Sequence, residues 1–149
     1  MKLLIMRHGA AKSAIRDFDR RLSRQGAEDV KRSAAGLLAC CSVPMRTFAS
    51  PLVRAQQTAE LVLGELELDQ SFGTIDEISP EGNPEKVVAR LSAEIEKALC
   101  LLVSHQPFVS NFVEYLTNRK VFMDTASVAC ISMDVLGQNC GDLEWLIPA

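Results

Sequence analysis

The chain has only two histidines, His8 and His105, among 149 residues. Other reactive clusters are missing too. No CxxC occurs, and no Cys or His pair has the spacing of zinc ligands, so no metal is expected. The five cysteines, Cys40, Cys41, Cys100, Cys130 and Cys140, form an odd set. They read as buried, reduced thiols, which points to a cytoplasmic protein. No apolar run approaches the roughly 18 to 20 residues of a membrane span. The stretch before Arg7 is too short for the apolar core of a signal peptide, so no membrane partner is expected. Excess positive charge is lacking as well. The net charge is −3, and nothing looks built for nucleic acid. Repeats, linkers and low-complexity segments are absent. The chain does have 48% hydrophobic residues, in a length that buries a full core without staples. One domain over residues 1–149 is expected.

Its elements alternate. Lys2 to Met6 reads as a buried strand running into Arg7-His8-Gly9. A helix is expected from the N-cap Ser23, with Val30, Leu37, Leu38 and Cys41 on one face. Pro44 breaks it, and Arg46 to Ala49 is a short strand. Ser50-Pro51 reads as a cap with proline at the first helical position, before Leu52, Leu61, Val62 and Leu66. Ser71 to Ile78 reads as a third strand, and Glu81-Gly82-Asn83-Pro84 as a turn into a helix with Val87, Val88, Leu91 and Ile95. Leu99 to Ser104 is a strand ending at His105, and Pro107 starts a helix with Phe108, Val109, Phe112, Val113 and Leu116. Ala126 to Val135 and Asp142 to Ile147 form a hairpin around Gly137 to Gly141. The order predicts an α/β fold with three layers, α/β/α. Its central sheet is mostly parallel and carries a C-terminal antiparallel hairpin.

In such a sheet the chemistry lies beyond the carboxyl ends of the strands. Arg7, His8, Ser50 and His105 all fall there, and the third strand would add Glu77 to the same rim. Guanidinium forks match the three oxygens of a phosphoryl group. Arg7 and Arg54 can supply them, and Arg20 and Arg21 lie in a polar loop that can reach in. A neutral histidine with one ring nitrogen free can attack phosphorus. Positive neighbours keep it neutral, and a carbonyl on the other N–H fixes the tautomer. His105 would then be a second donor to the phosphoryl oxygens, preferably protonated. Each residue taken singly also has a plainer account. The histidines can be satisfied structural residues, Arg54 a solvated helix arginine, and Ser50-Pro51 a cap alone. The joint pattern favours a phosphate site.

Arg7-His8-Gly9, the run Ser50-Pro51-Leu52-Val53-Arg54-Ala55-Gln56-Gln57-Thr58 and Val103-Ser104-His105 resemble the histidine phosphatase superfamily, which includes the phosphoglycerate mutases. Within it the chain looks most like the SixA-type phosphohistidine phosphatases. It is short, and Arg-His-Gly-Ala-Ala stands where the mutases have RHGE/Q-T. Arg20-Arg21-Leu22-Ser23-Arg24-Gln25-Gly26 resembles that group's R-P-L-T-x-x-G, and Thr125-Ala126-Ser127 its T-S/A-A/S turn. The resemblance implies a phosphoglycerate mutase-like fold and a hydrolase acting in signal transduction without a metal or organic cofactor. His8 would carry the covalent phosphoryl group, and Arg7, Arg54 and His105 would bind its oxygens. Arg20 would be a further phosphate ligand. Arg21 stands where proline is usual, which leaves Arg20 and Arg21 as alternatives.

Ile75-Asp76-Glu77-Ile78-Ser79-Pro80 loosely matches the place where ester-cleaving relatives keep a proton-donating carboxylate. Glu77 is either that acid or a solvated or capping carboxylate. Phosphohistidine needs an acid less than an ester does, because imidazole leaves more readily than alkoxide. Little chain is left between Phe72 and Leu99 for a lid, which suits a side chain presented by another protein. Three functions remain. The first is a phosphatase acting on a phosphorylated histidine-containing partner, either a phosphotransfer domain or a phosphocarrier. The second is a small-ester phosphatase using Glu77, and the third a non-catalytic phosphoprotein-binding module.

Overall fold

A computed structural model describes residues 1–40, 45–95 and 99–149. Its six strands are β1 (Lys2–Arg7), β2 (Met45–Ala49), β3 (Gly73–Thr74), β4 (Leu99–Ser104), β5 (Val128–Met133) and β6 (Gly141–Ile147). They form one sheet in the order β3-β2-β4-β1-β5-β6. The first four run parallel, and β5 and β6 close the sheet as an antiparallel pair. The described helices are α1 (Arg24–Cys40), α2 (Val53–Glu65), α3 (Pro84–Ile95) and α4 (Phe108–Thr117).

β1 is apolar over four successive residues because helices cover both of its faces. Leu3 and Ile5 pack with α3 and α4, through Val87, Leu91, Phe108 and Phe112. Leu4 and Met6 pack with α1 and α2, through Val30, Leu37, Ala59 and Val62. This is the expected three-layer architecture, with β1 at its centre.

The parallel register sets the heights of the strand ends. Arg7 pairs with Ser104 across β1 and β4, and Ala49 pairs with Val103 across β2 and β4. The residues that follow, His8, His105 and Ser50, therefore leave the sheet side by side. Backbone bonds hold them at this edge, His8 N–H to Ser104 O at 2.9 Å and Ser50 N–H to Val103 O at 3.0 Å.

Several local expectations need correction. Ser23 does cap α1, accepting the Gly26 N–H at 2.9 Å. The buried face of α1, however, runs through Gly26, Val30, Ala34 and Leu37, and Leu38 is exposed. Leu38 is one residue, about 100°, off that stripe. Cys41 and Pro44 lie outside the described residues. α2 starts two residues later than expected. Leu52 holds the cap position, while Pro51 stays in the bend before it. Only Gly73 and Thr74 of the expected third strand pair with β2, and Asp76–Ile78 coils into a 3₁₀ turn. α3 does start at Pro84 as expected, and Asn83 before it caps the helix, its Oδ1 accepting from Glu85 and Lys86 N–H. Pro107 sits at the cap of α4 rather than inside it. Among the described cysteines, Cys100 and Cys130 are buried thiols, but Cys40 and Cys140 are exposed. No described helix is long and apolar enough to cross a membrane.

Gly9 and Gly26 let the loop after β1 press onto the start of α1. A Cβ on Gly26 would lie 2.0 Å from the backbone oxygen of Ala10. Neither group is a flexible side-chain end, so the backbone itself would have to move. Gly26→Ala is expected to destabilise the fold by about 2 kcal/mol, as overpacking does. Urea denaturation measures this, and an unchanged midpoint would mean that the Ala10 loop yields freely.

Candidate active site

The site is built on the loop after β1. Gly9 N–H donates to Thr58 Oγ1 at 3.1 Å, and that hydroxyl donates to Arg54 O at 2.7 Å. Thr58 thus clips the Arg7-His8-Gly9 turn to the first turns of α2, which explains why a threonine follows Arg54 by one helical turn. Across the turn, Ala126 N–H donates to Arg7 O and His8 O. Ala126 adopts a φ of 62° to do so.

His8 is buried, and its ring is held in one tautomer. Nδ1 lies 2.6 Å from Gly9 O, a carbonyl that can only accept, so Nδ1 carries the proton. Nε2 then keeps its lone pair and accepts from Arg54 Nε at 3.2 Å. Burial lowers the His8 pKa to about 4; the Gly9 carbonyl opposes this, and Arg54, Arg7 and Arg20 add to it. A reaction that needs the free lone pair is therefore retained down to about pH 4 and lost below it. A kcat/KM profile checks this, and an acid limb near 6.5 would show that His8 is not held neutral. The same depression has a consequence for stability. The fold weakens as pH falls from 6.5 towards about 4, because the unfolded chain takes up a proton that the folded chain refuses.

His105 faces His8, with ring centroids 4.9 Å apart. Its Nε2 lies 2.7 Å from Ser50 Oγ. That oxygen already accepts the Leu52 N–H, so its own proton is free to donate to Nε2. Nδ1 of His105 is then the N–H, and it is buried without a partner. Ser50 thus orients His105 instead of capping α2. Burial lowers the His105 pKa to about 3, with His8 and Arg54 adding to the shift. With its pKa lowered to about 3, His105 is neutral near pH 7. A dianion placed beside it would pull the pKa back up.

Arg7 donates from Nη1 to Met123 O at 3.0 Å, while its Nε is buried and unpaired. Burial lowers the Arg7 pKa, Asp124 opposes that, and Arg54 adds to it. Arg7 Nε and His105 Nδ1 are two of the three buried side-chain polar atoms left unpaired among the described residues. Buried donors without acceptors are costly, and an anionic ligand would satisfy both.

A pocket of about 500 Å³ opens over these groups, walled by Arg7, His8, Arg20, Arg54, His105 and Gln106, among others. Of the two arginines the sequence left open, Arg20 is on its wall and Arg21 is not. Arg21 is exposed, and its carbonyl binds the Lys12 N–H. Glu77 is not on the pocket wall. It sits on the 3₁₀ turn, where its charge acts on Arg90 of α3. Pro80 and Glu81 line the pocket in its place. The third strand ends early and coils, which turns Glu77 off the rim.

Asp17, Gln106 and Thr125 also line the pocket, and sequence reasoning missed them. Asp17 accepts from Arg54 through its carbonyl oxygen at 2.9 Å and through Oδ2 at 3.2 Å. The Asp17 carboxyl also meets Arg20, and despite some burial these arginines hold its pKa below the usual value. Its one sequence signal is an acid set among arginines in Arg16-Asp17-Phe18-Asp19-Arg20. Among the described residues, no group of three or more His, Cys, Asp or Glu side chains is placed to hold a metal ion.

The family model of the histidine phosphatase superfamily, branch 1, matches residues 3–79. Phosphohistidine phosphatase SixA of Escherichia coli is 31% identical over 150 residues, covering 97% of this chain and 92% of that protein. A solved structure of the protein histidine phosphatase SixA complexed with tungstate superposes with a TM-score of 0.91 at 30% identity, covering 99% of this chain and 97% of that one. Phosphoserine phosphatase of Entamoeba histolytica shares the fold at 13% identity, with a TM-score of 0.74 over 97% of this chain and 95% of that one. With a turn of Arg7-His8-Gly9 leaving the central strand of a six-stranded α/β sheet, and with likeness over nearly its whole length, this chain belongs to the histidine phosphatase superfamily.

Proposed function

We propose that this protein removes the phosphoryl group from a phosphorylated histidine of another protein, through a covalent intermediate on His8. The observation that carries this reading is the His8 ring, with Nδ1–H on Gly9 O and the Nε2 lone pair turned to Arg54. In the first step Nε2 attacks phosphorus. The P–N bond to the substrate imidazole breaks, and its electron pair stays with that imidazole, which takes a proton from solvent. One P–N bond replaces another, so the step is close to balanced. Arg7, Arg20, Arg54 and the N–H of His105 hold the phosphoryl oxygens as the bonds exchange. In the second step water attacks phosphorus, releases inorganic phosphate and returns His8 to its starting form. Four groups that bring or accept charge do what a metal otherwise would, so no metal is required.

The substrate class rests on the full-length likeness to a phosphohistidine phosphatase. It is supported by the rim of the pocket. Ile15 and Phe18 are exposed on the loop that brings Asp17 and Arg20 to the site, and Phe122 is exposed on the loop before Thr125. Exposed apolar side chains around a polar pocket suit a protein surface better than a small ester.

A side-by-side assay tests this, on a phosphohistidine-bearing phosphotransfer protein and a panel of small phosphate esters, with and without a chelator. Release from the protein alone, unaffected by the chelator, is the expected result. Glu77→Gln should leave that rate within about twofold, because Glu77 lies off the pocket wall. Fast ester turnover that collapses in Glu77→Gln would replace this reading with an ester phosphatase. Binding without turnover of any substrate would replace it with a phosphoprotein-binding module.

A further inference from the structure

We propose that Asp17 is a resident counter-anion of the phosphate site, displaced by the incoming phosphoryl group and returning to help expel inorganic phosphate. This inference rests on the phosphatase reading above. All three guanidinium nitrogens of Arg54 are engaged by the chain. Nε donates to His8 Nε2, Nη1 to Asp17 O and Nη2 to Asp17 Oδ2. Arg20 Nη1 donates to the other carboxylate oxygen of Asp17 at 3.3 Å. The carboxylate therefore spans two arginines of the pocket wall, at hydrogen-bonding positions that phosphoryl oxygens on His8 would need.

A carboxylate and a phosphoryl dianion cannot share those donors, since like charges at contact repel. Asp17 is the one that can leave. Its side chain is 62% exposed and sits on the short turn Asp17–Asp19, so it can swing into water. Arg54 is 6% exposed and cannot follow. Phosphate held by Arg7, Arg20, Arg54 and His105 would otherwise dissociate slowly and inhibit the next turnover. A tethered carboxylate competes for the same guanidinium groups at high effective concentration, without adding bulk to the pocket.

The test is calorimetric titration of inorganic phosphate and of tungstate into the wild type, Asp17→Asn, Asp17→Ala and Arg54→Ala. It is paired with kcat, KM and phosphate inhibition on the phosphohistidine protein. Both Asp17 variants should bind phosphate about five- to tenfold tighter, a modest factor because the carboxylate is largely exposed. They should also lower KM and kcat together, as product leaves more slowly. Asp17 variants that bind phosphate equally or more weakly would overturn the proposal, the second outcome marking Asp17 as a clip that merely orders Arg54. If Arg54→Ala alone loses binding, only the role of Asp17 falls. If the wild type binds neither anion, the phosphate site itself falls, and the Asp17 proposal with it.

Discussion

His8→Ala should lower kcat on a phosphohistidine substrate by at least about 10⁴-fold, the loss seen when a nucleophile acting in concert with its neighbours is removed. The size follows from the geometry. Of the two histidine rings at the site, His8 alone turns a ring-nitrogen lone pair to the phosphoryl position. His105 presents an N–H there, because Ser50 occupies its other nitrogen. Arg7, Arg20 and Arg54 are donors only. Binding should survive, because those donors stay in place, and loss of Nε2 frees Arg54 Nε for an oxygen. Rapid quench with a ³²P-labelled phosphohistidine protein makes the distinction. The wild type should pass its label through an acid-labile adduct, and the variant should form none. A variant that turns over at the normal rate would show that water attacks the substrate directly.

Arg54→Ala should lower kcat/KM by about 10²- to 10³-fold, with a lower kcat and a higher KM. The Arg54 side chain bonds to His8 and Asp17, and its backbone carbonyl accepts from Thr58. Its guanidinium is buried, so its charge acts on the phosphoryl group with little screening by water. The fold should tolerate the change. The carbonyl that Thr58 uses belongs to the backbone and survives the substitution. Steady-state kinetics with a thermal melt separates the two effects. A parallel fall in Tm and activity would make Arg54 a structural residue rather than an oxygen ligand. Arg54→Lys should recover little, because one ammonium cannot donate along the three directions that Nε, Nη1 and Nη2 cover.

Much of this was legible in the amino-acid sequence. Apolar runs at 2–6 and 99–104 mark strands buried on both faces, and each ends in a histidine. A strand's hydrophobicity reflects what covers it, so it shows in a local window. Helix signals read equally well where a side chain meets its own backbone, as Ser23 does at α1. The third strand read poorly. Only Gly73 and Thr74 find a partner at the sheet edge, and the residues after them coil in response to packing that no local window contains.

The sequence by itself determined the α/β class, the order of strands and helices, and the placing of His8, Arg54 and His105 at strand and helix ends. Those features follow from periodicity and capping, which act over a few residues. The tertiary structure alone decided which groups meet. It paired His8 with Arg54 across 46 positions, His105 with Ser50 across 55 and Arg54 with Asp17 across 37. It also put Arg20 on the pocket wall and left Arg21 and Glu77 off it. Hydrogen bonds between distant residues leave no periodic trace in a chain. They arise only when the parallel register of β1, β2 and β4 brings their ends to one height, and burial then makes each remaining donor seek an acceptor.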